Sequence, residues 1–230
     1  LPHLELRRDE LMSHHTTFKV GGPARLMALP KTEDEVVSAV RLARESGIEP
    51  LFIGNGSNLL VDDRGLDAFV VKTVPGLSGW KAEGTQITAG CGLLLSALAV
   101  EAPRHSLTGL EFAHGIPGSL GGAVTMNAGA YGGELCQVVR AVRVLEPDGR
   151  VEEVPAEDCR FRYRHSAFSE GGRLVLSARL KLAWGEAEAI RANHALITAM
   201  SHDLRTPLTV LRGYLEILRL GKNADMQTEY

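Results

Sequence analysis

Two glycine-rich stretches hold the residues best suited to chemistry. Gly54-Asn55-Gly56-Ser57-Asn58 follows directly on the apolar run Pro50-Leu51-Phe52-Ile53. Small residues there let backbone N–H groups approach an anion, and Ser57 and Asn58 add side-chain hydrogen bonds. A Gly-x-Gly-x-x-Gly fingerprint would need glycine where Leu59 stands, and a P-loop would need a Gly-Lys-Ser/Thr that is absent. Taken alone, the loop is a weak signal and reads first as a plain structural turn. The second stretch is Gly115-Ile116-Pro117-Gly118-Ser119-Leu120-Gly121-Gly122-Ala123, followed by Met126-Asn127-Ala128-Gly129-Ala130-Tyr131-Gly132. Four glycines in eight positions are costly in chain entropy. They are expected where something large lies against the backbone, and a diphosphate with a flat ring system would suit. A tightly packed Gly/Ala loop is the alternative. The two loops together are more specific than either alone.

The elements that must position these loops read as α+β. Thr32 is a good N-cap, with Glu35 three residues on as in a capping box. Val36, Val37, Val40, Leu42 and Ala43 give a helix its apolar face to about Ser46, and Gly47 ends it. Residues 50–53 read as a short buried strand. Further strands are expected at 69–71, 86–89, 142–145 and 174–176, with a hairpin at Asp148-Gly149 and a helix over Leu93–Ala102. Many strands and few helices, without strict alternation, argue against a doubly wound sheet.

The whole chain has 230 residues, a formal charge of −3, 44% apolar and 23% charged residues. Such a chain builds a core, and its near-neutral charge gives no case for nucleic-acid binding. Cys91, Cys136 and Cys159 are odd in number and scattered, so buried reduced thiols of a cytoplasmic protein are expected, with no metal site. No run approaches a membrane-spanning length. The start, Leu1-Pro2-His3-Leu4-Glu5, does not read as a signal peptide, and without a methionine the native start is expected to be missing. Glycine is uneven: 22 of 25 lie in residues 1–184. A boundary is therefore expected near Trp184-Gly185.

Thr16-Thr17-Phe18-Lys19-Val20-Gly21-Gly22-Pro23-Ala24, the loop at 54–58, the stretches 115–123 and 127–132, and Phe161-Arg162-Tyr163-Arg164-His165-Ser166-Ala167-Phe168 occur in a familiar order. In this the chain resembles the UDP-N-acetylenolpyruvoylglucosamine reductase (MurB) family, flavoenzymes of peptidoglycan precursor synthesis, over about residues 4–182. The resemblance implies an FAD-binding fold of the vanillyl-alcohol-oxidase/PCMH type in two subdomains, 1–75 and 76–182. It implies FAD contacts from Gly54–Leu59, from 115–119 and 121–123, and from Asn127 and Gly129. It further implies NADPH as reductant, a UDP-sugar enolpyruvate as substrate, and hydride delivery to the enolpyruvyl double bond. A substrate carboxylate and a developing enolate need a fixed cation. Tyr163 and Arg164 match the family's substrate-contacting tyrosine and catalytic arginine, whereas chemistry alone would leave Arg164 an ordinary surface arginine. The family's third domain should follow residue 182 and supply a serine as proton donor and a late glutamate. Neither is found after Leu182. Protonating the carbanion needs a positioned acid, so full reductase activity is expected to be impaired. Hydride exchange between nicotinamide and flavin is expected to persist, since the cofactor carries it.

The tail differs in kind. Ile197, Met200, Leu204, Leu208, Leu211, Leu215 and Leu218 form a heptad stripe suited to a dimerising helix over 195–220, with 221–230 beyond it. Ser201-His202-Asp203-Leu204-Arg205-Thr206-Pro207-Leu208 resembles the phosphoacceptor box of sensor histidine kinases, which implies that His202 accepts phosphate, with Asp203 assisting. The kinase's ATP-binding domain is not read in these residues and is expected to be missing. The chain thus reads as two unrelated families meeting in a junction at 183–194.

Overall fold

The computed structural model describes residues 3–186 and, beyond them, 188–190, 192, 193, 195–197 and 199. The chain first builds a four-stranded sheet from β1 (Glu5–Leu11), β2 (Pro23–Leu29), β3 (Leu51–Ile53) and β4 (Leu66–Lys72), in the order β1-β2-β4-β3. The helix α1 (Glu33–Glu45) connects β2 to β3. β3 and β2 both run parallel to β4, while β1 pairs antiparallel with β2 at the edge. β1 reads Glu-Leu-Arg-Arg-Asp-Glu-Leu and is almost wholly exposed. Charges on an outer strand discourage further pairing, but they also hide the strand from a search for apolar alternation.

The chain leaves this sheet at Lys72 and enters the second at Trp80. β5 (Trp80–Glu83), β6 (Gln86–Gly90), β10 (Val139–Leu145), β11 (Val151–Pro155) and β12 (Leu174–Lys181) make an antiparallel sheet in the order β11-β10-β12-β6-β5. β12 arrives last in sequence yet occupies the centre. Between β6 and β10 lie α2 (Leu95–Glu101), β7 (Leu107–Thr108), α3 (Leu120–Thr125), β8 (Gly129–Ala130) and β9 (Gly133–Glu134). α2 and α3 pack Leu95, Leu98, Leu120 and Val124 onto Ile87, Val142, Ala178 and Leu180 of the sheet. The hairpin expected at Asp148-Gly149 joins β10 to β11, with Gly149 at φ +86°.

α1 binds the two sheets together. Its Val36, Ala39, Val40 and Ala43 pack in one cluster with Ala28, Phe69 and Val71 of the first sheet and Leu145, Leu174 and Leu176 of the second. Arg44 adds polar ties, donating to the carbonyls of Glu146, Pro147 and Gly172.

Several expectations are corrected in detail. Thr32 caps α1 by accepting from the Glu35 N–H, but the Glu35 carboxylate accepts from Lys31 N, one residue before the cap. The reciprocal half of the capping box is therefore displaced. Leu42 is 57% exposed and lies on the outer face of α1. The strand at 51–53 buries Ile53, while Leu51 is exposed. The helix expected over Leu93–Ala102 is shorter. Leu94 is held extended by a bridge to Ser119, and after Glu101 the chain tightens at Pro103, which has no N–H to continue the helix. The expected junction at 183–194 opens with a paired strand, β13 (Ala183–Trp184), against β7. Of the tail, residues 188–190, 192, 193, 195–197 and 199 are helical where described, with Ile190 and Ile197 buried. Most of the heptad stripe, and His202 with its neighbours, lie outside the described residues.

Candidate functional site: a cofactor cradle and an arginine turn

The first glycine loop leaves the end of β3, where parallel pairing with β4 stops. Gly56 sits at φ +64° in the left-handed region, and a Cβ there would strike the His15 carbonyl oxygen. His15 is itself held by Glu10, its Nε2 lying 2.8 Å from Oε1. Thr17 N donates to Gly56 O at 3.2 Å. The segment 15–17 is therefore the back wall of the loop, a role that the order of motifs did not disclose.

The second stretch meets the first directly. Asn55 Nδ2 donates to Pro117 O at 2.6 Å. A Cβ on Gly54 would collide with Ser119 Oγ. Ser119 stands at the N-terminus of α3, 1% exposed, and its Oγ finds no partner among the described residues. A buried unpaired hydroxyl costs free energy unless a ligand completes it. The N–H groups of Asn55, Gly56, Ser57 and Asn58 likewise donate to no acceptor among the described residues. Donors on one wall and an orphaned hydroxyl on the other fit an anion such as a diphosphate.

The glycines divide by what surrounds them. At Gly121 a Cβ would lie 2.7 Å from Cys91 Cβ, so this glycine lets α3 seat against the end of β6. At Gly118 and Gly122 the nearest atoms are hydroxyls, Ser57 Oγ at 3.7 Å and Ser119 Oγ at 3.6 Å. Those two positions leave room for a ligand. Ile116 and Leu59 are half-buried and pack against apolar clusters, and Ala123 is buried. Gly115 is exposed.

Asn127 and Gly129 stand with a second feature. Asn127 is 3% exposed and its amide is fully used: Nδ2 donates to Glu134 Oε2 and Arg162 O, and Oδ1 accepts from Cys136 N. It is a strut between the β8–β9 turn and the segment 162–165. There Arg162 and His165 exchange both backbone hydrogen bonds, leaving Tyr163 and Arg164 as the two-residue tip of a tight turn. Arg164 is at φ +53°, uncommon for a side chain of its size. Ser166 Oγ and Ser169 Oγ both anchor the base of the turn on Thr125 O. Tyr163, 84% exposed, and Arg164 line a pocket of about 280 Å³ with Tyr131, Glu134 and Gln137. The sequence-predicted residues thus gather into two groups, the loops at 54–58 and 115–123, and Asn127 and Gly129 with the 163–164 tip.

Lys72, at the last position of β4, was not singled out in the sequence. Its Nζ donates to Gly54 O at 3.1 Å. The available signal was a charged residue closing the apolar run Phe69-Val70-Val71. Of the thiols, Cys91 and Cys159 are buried and burial pushes them up to about 12 and about 11. Cys136 is only half-buried, against the expectation for all three, though burial raises it too.

Two sheets sharing a helix, with a donor-lined loop from one facing a glycine-rich helix start on the other, define an FAD-binding domain of the PCMH type. A family model described as FAD binding domain matches residues 24–155. The chain is 40% identical over 188 residues to the UDP-N-acetylenolpyruvoylglucosamine reductase of Clostridioides difficile (strain 630), covering 82% of this chain and 62% of that one. It is 45% identical over 183 residues to the enzyme of the same name from Heliobacterium modesticaldum, covering 80% and 58%. The crystal structure of UDP-N-acetylenolpyruvylglucosamine reductase (MurB) from Thermus caldophilus matches with a TM-score of 0.71 at 35% identity, over 86% of this chain and 69% of that one. Cholesterol oxidase from Brevibacterium sterolicum, at 16% identity and a TM-score of 0.61, shares the fold alone. The chain belongs to the FAD-binding domain family and, through these relatives, to the UDP-N-acetylenolpyruvoylglucosamine reductases. It spans about three fifths of the length of the first curated relatives it matches. A second family model, described as His Kinase A (phospho-acceptor) domain, matches residues 192–230. Among the described residues no helix is long and apolar enough to cross a membrane and no metal-binding cluster occurs.

Proposed function

We propose that this chain binds FAD across the two glycine stretches and accepts hydride from NADPH, as a cytoplasmic flavoprotein whose Arg164 turn faces a UDP-sugar enolpyruvate. The observation that carries the reading is the buried, unpartnered Ser119 Oγ facing Gly54, where two loops from different sheets are joined by the Asn55–Pro117 hydrogen bond. Bound FAD would supply a flavin ring able to take a hydride and pass it on.

In this reading the subdomains at 1–75 and 76–182 each contribute one wall of the cradle. The Asn55–Asn58 N–H groups and Ser119 Oγ hold the diphosphate, and Gly118 and Gly122 let it approach. Arg164, offered at the tip of its turn, holds the substrate carboxylate and the charge that develops beside it. Asn127 fixes the direction of that turn. No residue of the 183–230 segment matches the family's proton-donating serine by motif, and protonating the carbanion left by hydride delivery needs a positioned acid.

The test is an absorption spectrum of the purified protein after FAD is added and the excess removed. Retained visible flavin bands that NADPH bleaches are the expected result. A folded, colourless protein would overturn the reading.

The match at 192–230 supports a second reading, in which the tail dimerises through its stripe and His202 accepts phosphate from a separate kinase. Acid-labile phosphate on His202 after incubation with ATP and an intact related kinase is its expected result. A monomer that stays unlabelled would remove it.

A further inference from the structure

A cation stands behind the cradle with no carboxylate paired to it among the described residues. β4 ends in Lys72, which is 8% exposed. Register pairs it with Ile53, the last residue of β3 before the loop. Strand alternation places it on the same face as Val70, which packs with Ile53 and Val61 beneath the loop. Its Nζ donates to the Gly54 carbonyl, and no carboxylate pairs with it among the described residues. Burial alone pushes this ammonium below its usual value. An uncompensated buried charge is costly, and a buried charge beside a ligand cleft is a candidate functional group.

The position relative to the loop says which partner. In a trans peptide the carbonyl and the following N–H point in opposite directions. The Gly54 carbonyl faces Lys72, so the Asn55 N–H points away from it. A cation on the carbonyl polarises the peptide and strengthens that N–H as a donor to an anion. The neighbouring N–H groups of Gly56, Ser57 and Asn58, and Ser119 Oγ beside Gly54, are all without partners among the described residues.

We propose that Lys72 is a positioning residue for the cofactor, supplying through the Gly54–Asn55 peptide the positive charge that balances the diphosphate of bound FAD. The proposal rests on the FAD reading above. Lys72 touches the peptide and not the ligand. Its charge opposes folding of the cofactor-free protein and favours the loaded one.

Those opposite signs set the experiment. Wild type, Lys72→Met and Lys72→Arg are compared for FAD affinity and for melting temperature without cofactor. Lys72→Met is expected to weaken FAD by about tenfold or more, as loss of one charge acting over several ångströms in a partly buried site would. The same variant is expected to melt at a higher temperature when cofactor-free. Lys72→Arg keeps the charge and is expected to recover most of the affinity. Unchanged FAD affinity in Lys72→Met overturns the proposal. So does a fall in both affinity and cofactor-free melting temperature, or a failure to fold, since either marks a merely structural lysine. So does a folded Lys72→Arg that binds no better than Lys72→Met. A wild-type chain that takes up no FAD fails the underlying reading, and is recognised because every variant is then equally colourless.

Discussion

Ser119 shows how a single atom separates packing from binding. Several glycines of the cradle have sufficient reasons inside the protein: Gly56 lies against the His15 carbonyl and Gly121 against Cys91. They would be glycine in a fold that bound nothing. The Ser119 hydroxyl has no such internal reason, since it is buried at the meeting of two loops with its oxygen unpaired. Ser119→Ala is expected to weaken FAD by about tenfold, the size of one hydrogen bond to a charged group. The cofactor-free melting temperature should be unchanged or slightly higher. Fluorescence titration with FAD, beside thermal melts, checks both. The sequence made these residues legible as a group because glycine clustering is costly and therefore informative. It could not rank them, because what a missing Cβ makes room for depends on which strand or loop lies opposite. Lys72 stayed invisible for the same reason. A lysine at the end of an apolar run looks like a strand reaching solvent, and only its burial beneath Gly54 shows otherwise.

At the scale of elements, chain-local signals were readable and partner-dependent ones were not. α1 carries its cap, its apolar face and its glycine stop within a short window, and it forms where expected. β1 carries charge on nearly every residue and is a strand only because β2 offers it an edge. The Tyr163–Arg164 turn is a similar case, for its base at Arg162 is held by Asn127, 35 residues earlier. The back wall of the cradle gives a prediction at this scale. Glu10 holds His15, whose carbonyl seats Gly56. The hydrogen bond from His15, and then that from Arg7, holds the Glu10 carboxyl below its ordinary 4.5. A carboxylate depressed in the folded state stabilises at pH values above its unfolded pKa, and that contribution is lost as pH falls through the folded value. Glu10→Gln is expected to be less stable than wild type at pH 7. The gap should close as the pH is lowered below 4.5, followed by denaturant unfolding across a pH series. A gap that stays constant with pH would detach Glu10 from the wall.

At the scale of the molecule, the two sheets share a core through α1 and meet again where the two loops touch, at the proposed ligand site. Either link alone would couple them, and together they predict one unfolding event. Heating the cofactor-free protein should give a single transition. FAD at about a hundred times its dissociation constant should raise that transition by several degrees, the effect of about 2.7 kcal/mol of binding on a protein this size. Two transitions, only one of which moves with FAD, would show the halves to be independent. The composition shift at residue 185 was readable because helix and glycine-rich loop differ in kind. The shared core was not, since Leu145, Leu174 and Leu176 give no sign in the sequence that they lie against Val36 and Val40.

The central place of β12 also bears on synthesis. Translation delivers β6 and β10 first, and both wait as unpaired edges until residues 174–181 leave the ribosome and slide between them. Until then the nascent chain exposes the strand edges that invite aggregation. A foreign coding segment spliced in upstream of residue 174 would strand those edges permanently. One joined after β13 would meet a sheet whose strands are already paired, so an unrelated helix appended there is expected to leave the five-stranded sheet intact.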